Sequence, residues 1–206
     1  MPIVKGDVTG LVLAGGQGRR MGSVDKGLVN LEGRPLVLHV IERFAPQVGT
    51  LVVNANRNRE RYASFGFPVI GDAVPDFAGP LAGLHAGMSV ATTAYIATVP
   101  CDSPFLPDDL VTRLASAFAP RDLDLAVART FEQPHPVFSL ARRALLPHLE
   151  AFLHAGGRKI DAWYAALRIA EVRFDDVHDA FRNINTADDL AAYAPGPADG
   201  NRSKPA

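Results

Sequence analysis

Residues 10–26 read GLVLAGGQGRRMGSVDK, an apolar run that passes directly into a glycine-rich, basic loop. The run at 10–14 has the length and nearly continuous hydrophobicity of a strand that is buried on both faces of a sheet. The glycines of the loop allow positive φ angles and a close approach of the backbone to a ligand. A buried strand followed by such a loop is typical of α/β proteins, which bind ligands at the carboxyl ends of their parallel strands.

The loop also concentrates positive charge. Arg19, Arg20 and Lys26 lie within eight residues of one another, and Asp25 is the loop's only acidic residue. Because backbone N–H groups in such loops form anion-binding nests, the sequence predicts a phosphate site. The loop matches neither a dinucleotide fingerprint, since Met21 stands where a glycine is needed, nor a Walker A loop, which needs Ser or Thr after the lysine. The alternative is a flexible turn with solvated arginines.

Beyond the loop, apolar runs of strand length alternate with segments of helical periodicity, which predicts an α/β fold. It consists of a mostly parallel central sheet with helices on both faces. The expected strands are residues 10–14, 50–54, 68–71, 94–99, 123–128 and 168–174, with 135–140 as a further, antiparallel candidate. The expected helices are 35–45, 57–65, one that opens at Gly79-Pro80, 110–118, 142–154, 159–167 and 186–193. Residues 1–194 form one domain, and 195–206 read as a disordered tail.

Composition excludes several classes of protein. Hydrophobic residues make up 48% of the 206 residues and the net charge is −1, so no broad basic field is available for nucleic acid. No apolar run approaches the roughly 18 residues of a membrane span. The single cysteine, Cys101, forms no internal disulfide and favours a reducing, cytoplasmic location. A monomer is the default expectation.

Polar side chains follow three further expected strands. Asn54, Asp72 and Asp102 each come at or just after a strand end, and those ends converge on the edge that carries the glycine loop. Asp102 is a candidate Mg²⁺ ligand beside triphosphate oxygens, or else an Asx turn or helix cap ahead of Pro104. Asp72 contacts a ribose or a second metal position, or caps a turn. Asn54 bonds a base or sugar, or is a simple turn residue.

Other segments carry weaker signals. Small residues at helical spacing within 79–87 favour close packing of a helix on the sheet. Residues 133–136 form either a loop facing a second substrate or a rigid turn. The basic turn at 156–159 is interpreted as solvated, and Trp163 and Cys101 as core residues. The histidines show no metal-ligand spacing, and no nucleophile pairing is visible.

The ordered motifs resemble one known family. Leu13-Ala14-Gly15-Gly16-x-x-x-Arg20-Met21-Gly22-x-x-Asp25-Lys26 is similar to the nucleotide loop of the molybdenum cofactor guanylyltransferases. Similar motifs follow in the family's order at 53–56, 79–83, 100–104 and 181–186; Gly18 and Ala187 depart from its usual pattern. The resemblance implies a Rossmann-like nucleotidyltransferase fold and Mg²⁺-dependent transfer of GMP from GTP to molybdopterin, with release of pyrophosphate. It also implies, as partners, other proteins of molybdenum cofactor biosynthesis and recipient molybdoenzymes.

The resemblance further implies roles for individual residues. Residues that contact the nucleotide are Leu13, Ala14, Gly15, Lys26, Asn54, Asp72 and Asp102. Within that set Lys26 holds phosphates and Asp102 binds Mg²⁺. Arg20 joins these two as the catalytic group, and Asn183 and Asn185 lie on the pterin side.

Two alternatives stay open. One is another enzyme of the same fold, such as a molybdopterin cytidylyltransferase or a sugar or alditol nucleotidyltransferase. Ala14-Gly15-Gly16 resembles the guanine-using branch, because a purine needs a closer backbone. The other is a non-catalytic nucleotide-binding scaffold, which pyrophosphate release would separate from an enzyme.

Overall fold

The computed structural model of the chain describes residues 2–14, 25–72, 79–119, 122–184 and 189. Nine strands lie in these ranges: β1 Val8–Leu13, β2 Asn30–Leu31, β3 Arg34–Pro35, β4 Thr50–Asn54, β5 Val69–Ile70, β6 Tyr95–Pro100, β7 Leu125–Thr130, β8 Gln133–Arg142 and β9 Ile169–Arg173. Six α-helices accompany them: α1 Leu36–Phe44, α2 Arg59–Ala63, α3 Pro80–Val90, α4 Leu110–Ser116, α5 Leu146–His154 and α6 Ile160–Tyr164. None of these described helices is long and apolar enough to cross a membrane.

Seven strands form one sheet in the order β5-β4-β1-β6-β8-β7-β9. All neighbours pair in parallel except β8, which runs antiparallel to β6 and β7. After β5 the chain crosses back through α3 to add β6 on the other side of β1. This reversal of strand order creates the crevice in which open α/β sheets bind ligands.

The core lies on both faces of this sheet. Successive residues of a strand point to opposite faces, so Leu11 and Val12 on β1 belong to different apolar clusters. Val12 packs in the cluster of α1 and α4, and Leu11 packs in the cluster of α3, α5 and α6. Because helices cover both faces of the sheet, both sides of each central strand are buried, and the strand sequences are therefore nearly continuous apolar runs.

The predicted mostly parallel sheet with helices on both faces is confirmed, with corrections of detail. The segment 142–154 is not one helix, because Arg142 pairs with Tyr95 as the last residue of β8 and α5 begins only at Leu146. The hairpin of β2 and β3 was not expected from so few residues. Segment 57–65 is less of a surface helix than predicted, since Tyr62 is fully buried. The expected last helix, apart from Asp189, and the tail lie outside the described residues.

Candidate functional site at the carboxyl edge of the sheet

The central strands bring the predicted residues together at one edge. Leu13 ends β1 and is in register with Asn54 of β4 on one side and with Pro100 of β6 on the other. The N–H of Ala14 donates to the Asn54 carbonyl at 2.8 Å, and the N–H of Cys101 donates to the Leu13 carbonyl at 3.1 Å. Three segments remote in the sequence therefore meet where β1 leads towards the glycine loop.

Asp102 and Lys26 form an ion pair at this edge. Lys26 Nζ lies 3.5 Å from Asp102 Oδ2. Asp102 is only 8% exposed, and its burial raises the pKa of the carboxyl group, an effect that the Lys26 ammonium opposes. A buried carboxylate whose neighbouring cation does not fully offset its desolvation has capacity for further positive charge.

Asp72, just after β5, is held by two asparagines at the end of β4. Asn54 Nδ2 donates to Asp72 Oδ1 at 3.0 Å, and Asn56 Nδ2 donates to Asp72 Oδ2 at 2.7 Å. The Asp72 N–H donates in turn to Asn56 Oδ1 at 2.8 Å. With both oxygens bonded to amides, this carboxylate has a defined orientation beside Asn54, as expected for a group that contacts a nucleoside.

Gly83 on α3 explains how Asn54 fits at this position. A Cβ on Gly83 would lie 2.6 Å from Asn54 Oδ1 and 2.5 Å from Leu13 Cδ2. Gly87, one turn later, likewise faces Leu11 and Ile96 of the sheet. The small residues of this segment therefore allow close packing on the sheet, which confirms the interpretation favoured above.

Asp25 is a site residue to which the sequence analysis assigned no role. The hydroxyl of Tyr62 donates to Asp25 Oδ1 at 2.5 Å, and Asn58 Nδ2 donates to Asp25 Oδ2 at 3.0 Å. Burial raises the pKa of Tyr62, so this phenol remains a donor. The pair fixes the backbone directly before Lys26. No sequence signal links Asp25 to a tyrosine 37 positions later; only the adjacency of Asp25 to Lys26 marked it.

The C-terminal motif lies beside the same edge. The hydroxyl of buried Ser103 donates to Asn183 Oδ1 at 2.6 Å, and the N–H of Ile184 donates to the Asp102 carbonyl at 2.8 Å. Asn183, predicted for the pterin side, is thus tied to the turn that carries Asp102. Asn185, Gly15 and Arg20 lie outside the described residues.

A cleft of about 860 Å³ extends from Asn183 along the β7–β8 hairpin. Residues 133–136 line it as the start of β8, so they are a strand and not the loop or turn expected from the sequence. His135 Nε2 lies 2.7 Å from Thr130 Oγ1, and its ring stacks on Phe181 with centroids 4.8 Å apart. Burial lowers the pKa of His135, which favours the neutral ring.

The remaining sequence candidates have structural roles. Trp163 is fully buried and donates from Nε1 to His148 Nδ1 at 2.9 Å. Cys101 is buried, and that burial raises its thiol pKa. Arg158 donates to the carbonyls of Leu153 and Gly157, which organises the turn at 156–159.

Known proteins are similar to this chain over most of its length. A family model described as MobA-like NTP transferase domain matches residues 10–170. A protein of Cupriavidus taiwanensis named molybdenum cofactor guanylyltransferase is 53% identical over 196 residues, covering 93% of this chain and 98% of its own. A protein of the same name from Bordetella petrii is 54% identical over 192 residues, covering 91% of this chain and 97% of its own.

Solved structures are similar over most of the chain. Molybdopterin-guanine dinucleotide biosynthesis protein A from Archaeoglobus fulgidus matches with a TM-score of 0.75 and 26% identity, covering 90% of this chain and 96% of its own. The 4-diphosphocytidyl-2C-methyl-D-erythritol synthase of Anaerococcus prevotii matches with a TM-score of 0.70 and 10% identity, covering 92% of this chain and 96% of its own. The second likeness shows the fold alone.

Proposed function

The chain belongs to the molybdenum cofactor guanylyltransferases within the MobA-like NTP transferase family, and from this premise we propose that it transfers GMP from GTP to molybdopterin. A phosphate oxygen of molybdopterin bonds to the α-phosphorus of GTP, the bond from that phosphorus to the bridging oxygen breaks, and pyrophosphate leaves. The observation that carries the proposal is the convergence of Lys26, Asp102, Asn54 and Asp72 on one edge of the sheet. A lysine, a buried carboxylate and an asparagine amide bonded to a second carboxylate meet there.

The nucleotide side of the proposal uses the strand ends around β1. Leu13, Ala14 and Gly15 line the guanine and ribose. Asn54 and Asp72, oriented by their mutual hydrogen bond, contact the nucleoside.

Asp102 fits a magnesium ion that is shared with the substrate. Its carboxylate is buried, its pKa is raised by that burial, and Lys26 Nζ lies 3.5 Å from its Oδ2. Among the described residues no three His, Cys, Asp or Glu side chains form a metal-binding group. Mg²⁺ commonly takes one or two carboxylates together with substrate phosphates and water, which matches this donor set. When bound, it supplies positive charge to the triphosphate and the departing pyrophosphate.

The chain's own contribution is to orient and to stabilise charge. Lys26, held in place through Asp25, binds phosphate oxygens, and Arg20 adds a second cation from the loop. Phosphoryl chemistry of this kind depends on alignment of the attacking and leaving oxygens more than on a covalent intermediate. Asn183, which is bonded to Ser103 in the turn that carries Asp102, contacts the second substrate, and Asn185 is assigned to the same substrate.

The proposal extends to the setting of the enzyme. It places the reaction in the cytoplasm, with a monomeric chain that delivers its product to recipient molybdoenzymes, together with other proteins of cofactor biosynthesis. Size-exclusion chromatography with light scattering tests the monomer at assay concentration.

Pyrophosphate release tests the activity directly. The wild-type chain with Mg²⁺ and molybdopterin is expected to release pyrophosphate from GTP much faster than from CTP. Asp102→Asn should lower this rate by at least about a hundredfold, the scale seen when one charge-stabilising group is lost. Asp108→Asn is the matched control, because that exposed carboxylate pairs with Arg43 and is not among the proposed site residues. Normal turnover in Asp102→Asn at saturating Mg²⁺ would remove the metal assignment. Preference for CTP would favour the cytidylyl alternative, and no release at all would favour a binding scaffold.

A further inference from the structure

Phe131 occupies the first position of the two-residue turn between β7 and β8. Thr130 and Gln133 pair directly across this turn, and Phe131 has a φ of 49°. Glycine is favoured at such a hairpin position, because a side chain at positive φ crowds its own backbone. An aromatic residue there is held against its local preference.

Charged side chains hold the backbone of Phe131 in this conformation. Its N–H donates to Asp175 Oδ1, and its carbonyl accepts from Arg129 Nε at 2.7 Å. Both partners are themselves fixed, since Arg129 donates to Glu171 at 2.7 Å and Asp175 accepts from Arg173 at 2.8 Å. Residues in sparsely populated conformations that are this firmly determined cluster at ligand sites.

The ring of Phe131 does not serve the apolar core. It is 53% exposed and lines the cleft of about 860 Å³, in the volume range of small-molecule sites. Its ring centroid lies 5.3 Å from that of His178, which is too close for a third ring to enter between the two. A planar ligand would therefore stack on the face of Phe131 that is turned to the cleft, while His178 remains in contact with the Phe131 ring.

Strand order separates this cleft from the proposed nucleotide contacts. β7 and β8 lie on one side of β6, whereas β4, with Asn54, lies on the other side beyond β1. Asp102 lies two residues after the end of β6 and so stands between the two. The ring of the second substrate, rather than guanine, is the planar group that reaches Phe131 when the reacting phosphates are at Asp102.

We propose that Phe131 is the stacking platform for the pterin ring of the second substrate, an assignment that rests on the proposed function. Fused heteroaromatic rings stack on aromatic side chains in the way nucleic acid bases do. Gln133 and Asn183 line the same cleft and offer amide groups to the polar edges of a pterin. The strained turn and its exposed ring are then explained by the ligand they receive.

The test uses Phe131→Gly, which removes the ring and relieves the strained turn at the same time. We expect thermal stability equal to or above that of the wild type, because glycine accepts this φ. The KM for molybdopterin should rise about tenfold to a hundredfold, the range for loss of one stacked base, while the KM for GTP stays unchanged. Phe131→Tyr should restore the wild-type KM within about twofold.

Glu32→Gly is the matched control. Glu32 has a φ of 53° in the β2–β3 hairpin, so the same change relieves a similar strain away from the cleft. It should raise stability without altering either KM. A second readout needs no turnover: pterin-6-carboxylate fluorescence should be quenched by the wild type and by Glu32→Gly, and much less by Phe131→Gly.

The outcomes separate this assignment from the proposed function. An active wild type whose Phe131→Gly variant keeps the KM for molybdopterin refutes the stacking platform and leaves the function intact. An inactive wild type that still quenches the pterin in a Phe131-dependent way refutes the transferase function and supports the platform. Absence of both turnover and quenching refutes both.

Discussion

Replacing Gly83 with alanine tests how the proposed nucleotide site depends on one close approach of a helix to the sheet. The new Cβ would lie 2.5 Å from Leu13 Cδ2 and 2.6 Å from Asn54 Oδ1, both well inside van der Waals contact. Asn54 is 2% exposed, so its side chain has little room to yield. If it turns away, it loses the 3.0 Å hydrogen bond to Asp72.

The size of the effect follows from these contacts. If Asn54 stays in place, the overpacking against the new Cβ costs about 1–3 kcal/mol. If Asn54 turns away, the clash is relieved but the lost hydrogen bond to the Asp72 carboxylate costs about 1.5–3 kcal/mol. Alanine returns about 1 kcal/mol of helix propensity relative to glycine. The net loss is at most about 2 kcal/mol in the free energy of unfolding, which lowers Tm by up to roughly 8 °C for a chain of this size. Displacement of Asn54 should also weaken GTP binding by about tenfold, the value of one lost hydrogen bond of about 1.4 kcal/mol.

Gly87→Ala separates binding from packing. Its Cβ would meet Leu11 Cδ2 at 2.5 Å and Ile96 Cδ1 at 3.0 Å, two fully buried apolar side chains on the same face of the sheet. It should lower Tm by a similar amount and leave GTP affinity unchanged. Thermal unfolding and calorimetric titration with GTP and Mg²⁺ measure both quantities. If Gly83→Ala and Gly87→Ala bind GTP equally well, Gly83 does not act through Asn54 and the reasoning fails.

Three further changes test other contacts. Tyr62→Phe removes a hydrogen bond to the carboxylate of Asp25 and should raise the KM for GTP several-fold, along with a lower Tm; a lower Tm with an unchanged KM for GTP would make that contact purely structural. Ser103→Ala removes the hydrogen bond that holds the Asn183 amide at the cleft, so the KM for molybdopterin should rise while the KM for GTP stays unchanged. Steady-state kinetics with each substrate varied measure both, and a rise only in the KM for GTP would contradict this role. Donation by Arg168 holds the pKa of Asp124 below its usual 3.8, so this carboxylate stabilises the fold above about pH 4 and loses that effect as the pH falls through the lowered value. Asp124→Asn should therefore have a lower Tm than the wild type at pH 7 and a smaller deficit near pH 3; a deficit independent of pH would contradict this linkage.

Hydrophobic pattern was sufficient to predict most of the sheet. Residues 50–54 were predicted as a strand with the same bounds that the structure has, and the other main strands differ by one or two residues at their ends. The reason is that strands covered on both faces leave little ambiguity in a run of apolar residues. The same pattern was misleading at 142–154, because a strand end and a helix start can share one apolar periodicity across Arg142.

The convergence of site residues was also within reach of the sequence. Asn54, Asp72 and Asp102 follow strand ends, and parallel strands end on one edge, so their proximity follows from topology. The structure confirms this proximity: Asp102 pairs with Lys26, and Asn54 donates a hydrogen bond to Asp72. The roles of these residues in nucleotide and metal binding stay predictions until they are measured.

Amino-acid order by itself determined the fold class, the edge of the sheet at which the candidate site residues gather and the types of those residues. These depend on local periodicity and on the direction of the strands. Tertiary structure alone decided which partners meet. Tyr62 reaches Asp25 across 37 residues, Ser103 reaches Asn183 across 80, and Asp175 holds the turn at Phe131 across 44. Such contacts arise when whole elements dock, since loop closure brings together residues that share no local pattern. The strained turn at Phe131, and the wall of the cleft that it forms, follow from that docking.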